Sequence, residues 1–294
     1  MADFTPIIEL LENLKEKLGH DWYGQVDEIE DALGRLLVEV DSATPPPPPA
    51  PNYEAPTGQS SGGIEILGGR ETDLFPDCCA VGNDDKYICT GTLIAPNVVV
   101  TADHCRNVTR VFLRGSDINK PEEGETLRIA QQYSHPEVDL RVLVLEQAST
   151  VPPRHVAQGS EVNGATTATV VGFGRIDPDG LYSDGKKHMV EVPIRTVGCS
   201  DPADPKKYGC LPGREIVAGH MGLLLDTCKG DSGGPLYIKQ ADGDYDLLGE
   251  TSRVARGGFR VCGDGGVYVR IDLCLDWIRE KTGADISGPR TAAG

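Results

Sequence analysis

Near the start of the chain, apolar residues recur at three- and four-residue spacing. Ile7, Leu10, Leu11, Leu14 and Leu18 form one stripe, closed by Gly19, and this predicts an amphipathic helix over 6–18. Val26, Ile29, Leu33, Leu36 and Leu37 repeat the pattern over 25–40, with Asp27, Glu28, Glu30, Asp31 and Glu39 mostly off the stripe. The pair reads as a small helical hairpin. Two short helices cannot bury both stripes by themselves. Residues 1–41 are therefore read as a docking segment that needs a partner or the rest of the chain, with a solubilising appendage as the alternative. Periodicity disappears over 42–63, where the run Pro45 to Pro49 passes into Ala, Asn, Gly and Ser. That composition predicts a semi-rigid spacer followed by flexible coil.

From Ile64 the pattern changes to short β-branched and apolar runs separated by Gly, Pro, Asp or Asn. Thr92–Ile94, Val98–Val100, Val111–Leu113, Leu140–Leu145, Ala168–Val171, Val190–Ile194, Leu236–Ile238 and Val267–Ile271 read as strands. A helix returns at about Leu273–Lys281, with Leu275 and Ile278 on one side and Gly283 as its stop. Many short strands and one terminal helix predict a mostly β fold of antiparallel barrels over 64–286, with 287–294 as a flexible tail.

Composition narrows the function classes. The chain has 294 residues, 36 Gly and 21 Pro, and a net charge of −17, which is the wrong sign for a nucleic-acid surface. No apolar stretch approaches the length needed to span a membrane. Residues 1–18 carry Asp3 and Glu9 where a secretory leader would be basic, so the expected compartment is cytoplasmic. The nine cysteines point the other way, to an oxidising compartment, and keep secretion as the alternative. Asn107-Val108-Thr109 fits a glycosylation acceptor, which has meaning only after secretion.

The chemistry concentrates in Asp226-Thr227-Cys228-Lys229-Gly230-Asp231-Ser232-Gly233-Gly234-Pro235. A serine set among glycines suits a nucleophile, because acyl transfer needs backbone N–H groups aimed at the developing oxyanion. Serine also needs a base, and the base needs an orienting acid. His104, at the end of the apolar run Val98–Thr101, and Asp139, at the mouth of the run from Leu140, are the candidates.

In the order His104, Asp139, Ser232, with Cys89-Thr90-Gly91-Thr92-Leu93-Ile94, Gly172-Phe173-Gly174 and Asp276-Trp277-Ile278, most of the chain from Ile66 resembles the trypsin-like, chymotrypsin-fold serine proteases. The resemblance implies two six-stranded antiparallel barrels with the triad between them. His104 would be the general base, Asp139 its orienting partner and Ser232 the nucleophile, with the N–H groups of Gly230 and Ser232 as oxyanion hole. Asp226 matches the floor of the specificity pocket, with Ser252 and Gly266 beside it, and implies cleavage after Arg or Lys. Arg253 replaces the usual aromatic, Asp264 adds a second acid nearby, and the loop to Cys262 is long. Ile66 matches the start of an activated chain and Asp231 the acid that its freed amine would meet. Glu65 stands before it, so an Asp226 pocket would not cut there and a separate activating protease is expected. The resemblance pairs Cys89 with Cys105 and Cys228 with Cys262. It matches Cys199 with Cys210, although Val217 stands where the family carries the partner of Cys199. Cys78, Cys79 and Cys274 remain over. Asp103, before the histidine, either acts on it by proximity or points to solvent. No metal or cofactor is required. The expected activity is a latent serine endopeptidase in an intracellular signalling or defence cascade; an inactive protease-fold binding protein, or a scaffold acting through its N-terminal helices, is the alternative.

Overall fold

A computed structural model describes residues 69–176, 182–219, 227–256 and 262–286. The helices expected over 6–18 and 25–40, the 42–63 spacer and the 287–294 tail lie outside the described residues, as do Glu65, Ile66 and Asp226.

Thirteen strands are present among the described residues. The first barrel closes in the order β2 (Cys78–Gly82), β3 (Tyr87–Ala95), β4 (Val98–Thr101), β7 (Arg141–Leu145), β6 (Glu125–Ser134) and β5 (Arg110–Leu113), and β5 returns to β2. The second is built from β9 (His188–Val197), β10 (Glu215–Ala218), β13 (Gly266–Arg270), β12 (Tyr245–Val254), β11 (Pro235–Lys239) and β8 (Thr167–Gly172), closed by the β8–β9 pair. The short β1 (Arg70–Glu71) adds to the outside of β9. All of these pairings are antiparallel. Three short helices, α1 (Ser160–Asn163), α2 (Asp204–Tyr208) and α3 (Leu275–Thr282), complete the described elements together with single turns at Pro121–Glu123 and Asp272–Cys274. The terminal helix begins two residues later than its periodicity predicts, because Asp272–Cys274 forms a tighter turn in front of it.

The period of two explains where the core sits. Along β2, Cys79 and Val81 face the interior of the first barrel, while Cys78 and Ala80 face a cluster shared with the second. In β4 Val99 points inward, and Val98 and Val100 point to the shared cluster; β11 does the same with Leu236 and Tyr237. The neighbouring thiols of Cys78 and Cys79 thus lie on opposite faces of one strand, both buried and unbridged. Burial raises both thiols well above their usual range, which suits a small apolar role. Cys274 is the third buried free thiol.

One charged group crosses the shared core. Asp77, fully buried, accepts from Arg154 Nε at 3.0 Å and from the Tyr237 hydroxyl at 2.5 Å. Phe75 stacks on Tyr237 with ring centroids 4.8 Å apart, and the Arg154 guanidinium lies over the same tyrosine at 5.2 Å. A residue before β2 is thereby tied to a strand of the other barrel.

Candidate active site

The β4–β7 register builds one half of the site. The pairing runs from Val98↔Val144 to Thr101↔Arg141, so the chain leaving β4 and the chain entering β7 emerge side by side. His104 and Asp139 sit on those two exits. The Asp139 carboxylate accepts from the His104 backbone N–H at 3.1 Å and lies 2.8 Å from the ring Nδ1. It also accepts from the Ser252 hydroxyl at 2.7 Å. Burial pushes this carboxyl up, but the adjacent imidazole and the three hydrogen bonds outweigh it and bring it down to about 2. An ionised carboxylate only accepts, so Nδ1 carries the proton and Nε2 is left as the basic nitrogen. The disulfide between Cys89 of β3 and Cys105 braces the histidine loop.

Asp103 does not point to solvent. Its side chain is 8% exposed and accepts from Arg141 Nη2 at 2.8 Å, with Arg106 Nη2 at 3.5 Å. Arg141 also donates to the Asp103 carbonyl at 3.2 Å, which locks the turn before His104.

The Ser232 loop docks on this half. Thr90 of β3 donates its N–H to the Ser232 carbonyl at 2.9 Å and its hydroxyl to the Gly230 carbonyl at 2.8 Å. Gly233 has φ +76°, and a Cβ there would lie 2.0 Å from Thr101 Oγ1 and 2.5 Å from Ala102 N. Only glycine satisfies both demands, so the loop can press against the segment that leads to His104. Within the turn, Cys228 N–H bonds the Asp231 carboxylate, Asp231 N–H the Cys228 carbonyl, Gly233 N–H the Thr251 carbonyl and Gly234 N–H the Asp231 carbonyl. The N–H groups of Gly230 and Ser232 have no acceptor among the described residues. The Cys228–Cys262 disulfide anchors the start of the loop.

Asp231 itself turns away from the surface. It is fully buried and accepts from Gly174 N–H at 2.8 Å and Cys228 N–H at 2.9 Å. A Cβ on Gly172 would lie 2.0 Å from its Oδ1, and one on Gly174 2.4 Å from its Cγ. The Gly172-Phe173-Gly174 motif is thus the seat of this carboxylate. Burial lifts the carboxyl to about 6 against the pull of those two N–H groups and of nearby His188.

Ser252 is the extra residue of a bulge on β12: Thr251 opposes Tyr268 and Arg253 opposes Val267. Such bulges re-aim side chains, and here the hydroxyl meets Asp139. Gly266 pairs with Val254 and Ala218. Cys199 and Cys210 are bonded, with Val217 buried beside them. Asp264 is buried. Two features were not visible in the sequence. Arg253 is clamped on the buried Glu215 of β10, and Glu250 is fully buried on β12. A charge inside an otherwise apolar strand, as in Glu215-Ile216-Val217-Ala218, was the available signal. Among the described residues no group of His, Cys, Asp and Glu is placed to hold a metal ion, and no helix is long and apolar enough to cross a membrane.

Two antiparallel barrels, a terminal helix and a histidine–aspartate pair facing a glycine-bound serine loop define the chymotrypsin-like class. Residues 66–278 match the Trypsin family model. The chain is 30% identical over 236 residues to the trypsin of Saccharopolyspora erythraea, covering 74% of this chain and 99% of that protein. It is 29% identical over 252 residues to transmembrane protease serine 9 of Rattus norvegicus, covering 77% of this chain and 23% of that longer one. A solved structure of neuropsin, a serine protease expressed in the limbic system of mouse brain, superposes with a TM-score of 0.61 at 25% identity, covering 74% of this chain and 99% of that one. The chain belongs to the trypsin family of serine proteases.

Proposed function

We propose that this protein is a serine endopeptidase that cleaves after Arg or Lys and is made as a latent precursor. The observation that carries the reading is the grip of Asp139 on both the ring and the backbone of His104, at 2.8 and 3.1 Å. Ser232 Oγ attacks the peptide carbonyl carbon as its proton passes to His104 Nε2. The oxyanion is met by the uncommitted N–H groups of Gly230 and Ser232. The C–N bond then breaks, His104 returns the proton to the leaving amine, and water repeats the sequence on the acyl-enzyme. Substrates are proteins or peptides, and Asp226, with Ser252 and Gly266 beside it, selects a cationic side chain.

Latency follows from Asp231. A cut between Glu65 and Ile66 frees an amine that pairs with this buried carboxylate and shapes the Gly230–Ser232 loop. Since an acid-floored pocket rejects Glu65, another protease makes that cut. Residues 1–41 dock a partner in the cytoplasm, within a signalling or defence cascade.

The test compares the full-length chain with the form cut before Ile66, on Lys/Arg and Asp/Glu peptides, with Ser232→Ala as blank. Activity after Lys or Arg confined to the cut form supports the whole reading. Equal activity in both forms removes latency, activity after Asp or Glu removes the Asp226 pocket, and inactivity of both folded forms removes the enzyme.

A further inference from the structure

Arg253 stands next to Ser252 on β12 and joins the interior of the second barrel to the triad. Its Nη1 donates to Glu215 Oε1 at 2.8 Å and to Ser252 Oγ at 3.1 Å. Its Nη2 donates to Glu215 Oε2 and to the Gly209 carbonyl, both at 2.7 Å. The two parallel bonds to one carboxylate fix the plane of the guanidinium. Glu215 is fully buried, so the clamp has no freedom at its other end.

The hydroxyl of Ser252 has one hydrogen. A guanidinium can only donate, so the hydroxyl accepts from Arg253 and must direct that hydrogen to Asp139 Oδ2, 2.7 Å away. The same oxygen faces His104 Nδ1 at 2.8 Å. A directed run of donors therefore leads from Arg253 through Ser252 to Asp139, which also accepts from the imidazole, while Glu215 accepts from the same guanidinium. Such chains strengthen their members.

The charges around it point the same way. Glu250, on the same strand, is fully buried, and neither carboxyl oxygen has a hydrogen-bond partner among the described residues. Asp139, Glu215 and Asp103 are near enough to raise its carboxyl further, Arg253 is the cation that offsets them, and the Cys274 thiol also feels its charge. Arg141 and Arg106 are engaged by Asp103. Without Arg253, Glu215 would keep only the Leu211 N–H at 2.7 Å and no cation.

We propose that Arg253 is a positioning residue of the triad, held by Glu215 and holding the Ser252 hydroxyl on Asp139; the proposal rests on the serine-protease reading. It differs from a purely substrate-facing role, which its 39% exposed side chain would also allow.

The test follows the His104 titration by histidine-selective NMR in the full-length chain, for wild type, Arg253→Met and Arg253→Lys. Loss of the cation stabilises the imidazolium, so Arg253→Met raises the midpoint by about one unit, and Arg253→Lys leaves it in place. In parallel, full-length protein cut at an engineered site before Ile66 is labelled with a fluorophosphonate, which needs no specificity pocket. Labelling at neutral pH slows about tenfold in Arg253→Met and about threefold in Arg253→Lys, where charge is kept and the fork lost. Where Arg253→Met does not fold, the lysine variant decides: labelling at the wild-type rate overturns the clamp. An unmoved titration with unchanged labelling, and only a raised peptide KM, also overturns the proposal in favour of substrate contact. A wild type that is not labelled at all sinks the protease reading instead, and the titration alone then decides the coupling.

Discussion

The uncut chain should lose stability as pH rises through the titration of Asp231, and the cut chain should not. Burial lifts this carboxyl to about 6 from the ordinary aspartate value of 3.8. The folded state holds the proton more tightly than the unfolded state, so unfolding releases it and stability falls as pH rises between about 4 and 6. A shift of about two units corresponds to about 3 kcal/mol, lost above pH 6 and intact below pH 4. In the form that begins at Ile66, the proposed ammonium partner returns the carboxyl to its ordinary range or below and removes that loss. Glu250 is also raised by burial, but it is present in both forms and cancels from the comparison. With a urea slope of about 3 kcal/mol per molar for a domain of this size, the cut form gains about 1 M in midpoint at pH 7.5 and about a third of that at pH 4.5. The assay is urea unfolding of the Ser232→Ala protein in both forms at both pH values, which avoids self-digestion. Parallel pH profiles for the two forms would refute the pairing of Ile66 with Asp231.

Gly174→Ala places a Cβ 2.4 Å from the Asp231 carboxyl carbon, which has nowhere to retreat. It should cost about 1–3 kcal/mol, and an unchanged thermal melt would show that the seat is looser than described. Asp77→Ala removes the acceptor of Arg154 Nε and of the Tyr237 hydroxyl and leaves the guanidinium to Asp244 and the Tyr245 carbonyl; chemical denaturation should register about 3 kcal/mol, with Asp77→Asn recovering part. Replacing both Cys228 and Cys262 by Ser opens a 34-residue separation and should cost about 3–4 kcal/mol; a melt within two degrees of wild type in oxidising buffer would mean that the bridge contributes nothing.

Much of the barrel framework was legible because it is local and periodic. Val98–Val100 and Val267–Ile271 show their strands through β-branched runs, and the alternation of Leu236 with Tyr237 sends each into a different cluster. Strands with polar faces were harder. β6 (Glu125–Ser134) alternates exposed residues with half-buried ones, so it carries no apolar run. β2 begins with two cysteines left over from the disulfide pairings, and only its pairing with β3 and β5 shows both thiols as core. At the site, Gly172-Phe173-Gly174 was visible as a pattern, but its cause was not. The carboxylate that requires both glycines lies 57 residues downstream of Gly174.

The charged layer behind the His104–Asp139 pair was least legible, and the reason is physical. In Leu247-Leu248-Gly249-Glu250-Thr251 the acid interrupts an apolar run and argues for an edge or a loop. Yet β12 lies between β11 and β13. The charge is tolerated because its compensation comes from elsewhere. Burial raises the Glu250 carboxyl well above its usual range, which favours the neutral form, and Arg253 takes up Glu215 from the neighbouring region of the sheet. The guanidinium and the Glu215 carboxylate offset each other's charge. Asp139 is the ionised acid facing His104 directly, and its charge is answered by the imidazole rather than shared with a buried acid. Replacing the family's aromatic by Arg253 therefore makes sense only together with Glu215. A glutamate alone at that depth would be a buried charge held only by the Leu211 N–H, and an arginine alone would be a cation without its carboxylate. Pairing the two turns a pair of individually unfavourable residues into a support for the hydroxyl of Ser252. A reading that weighs each position by itself has no means of finding such a pair.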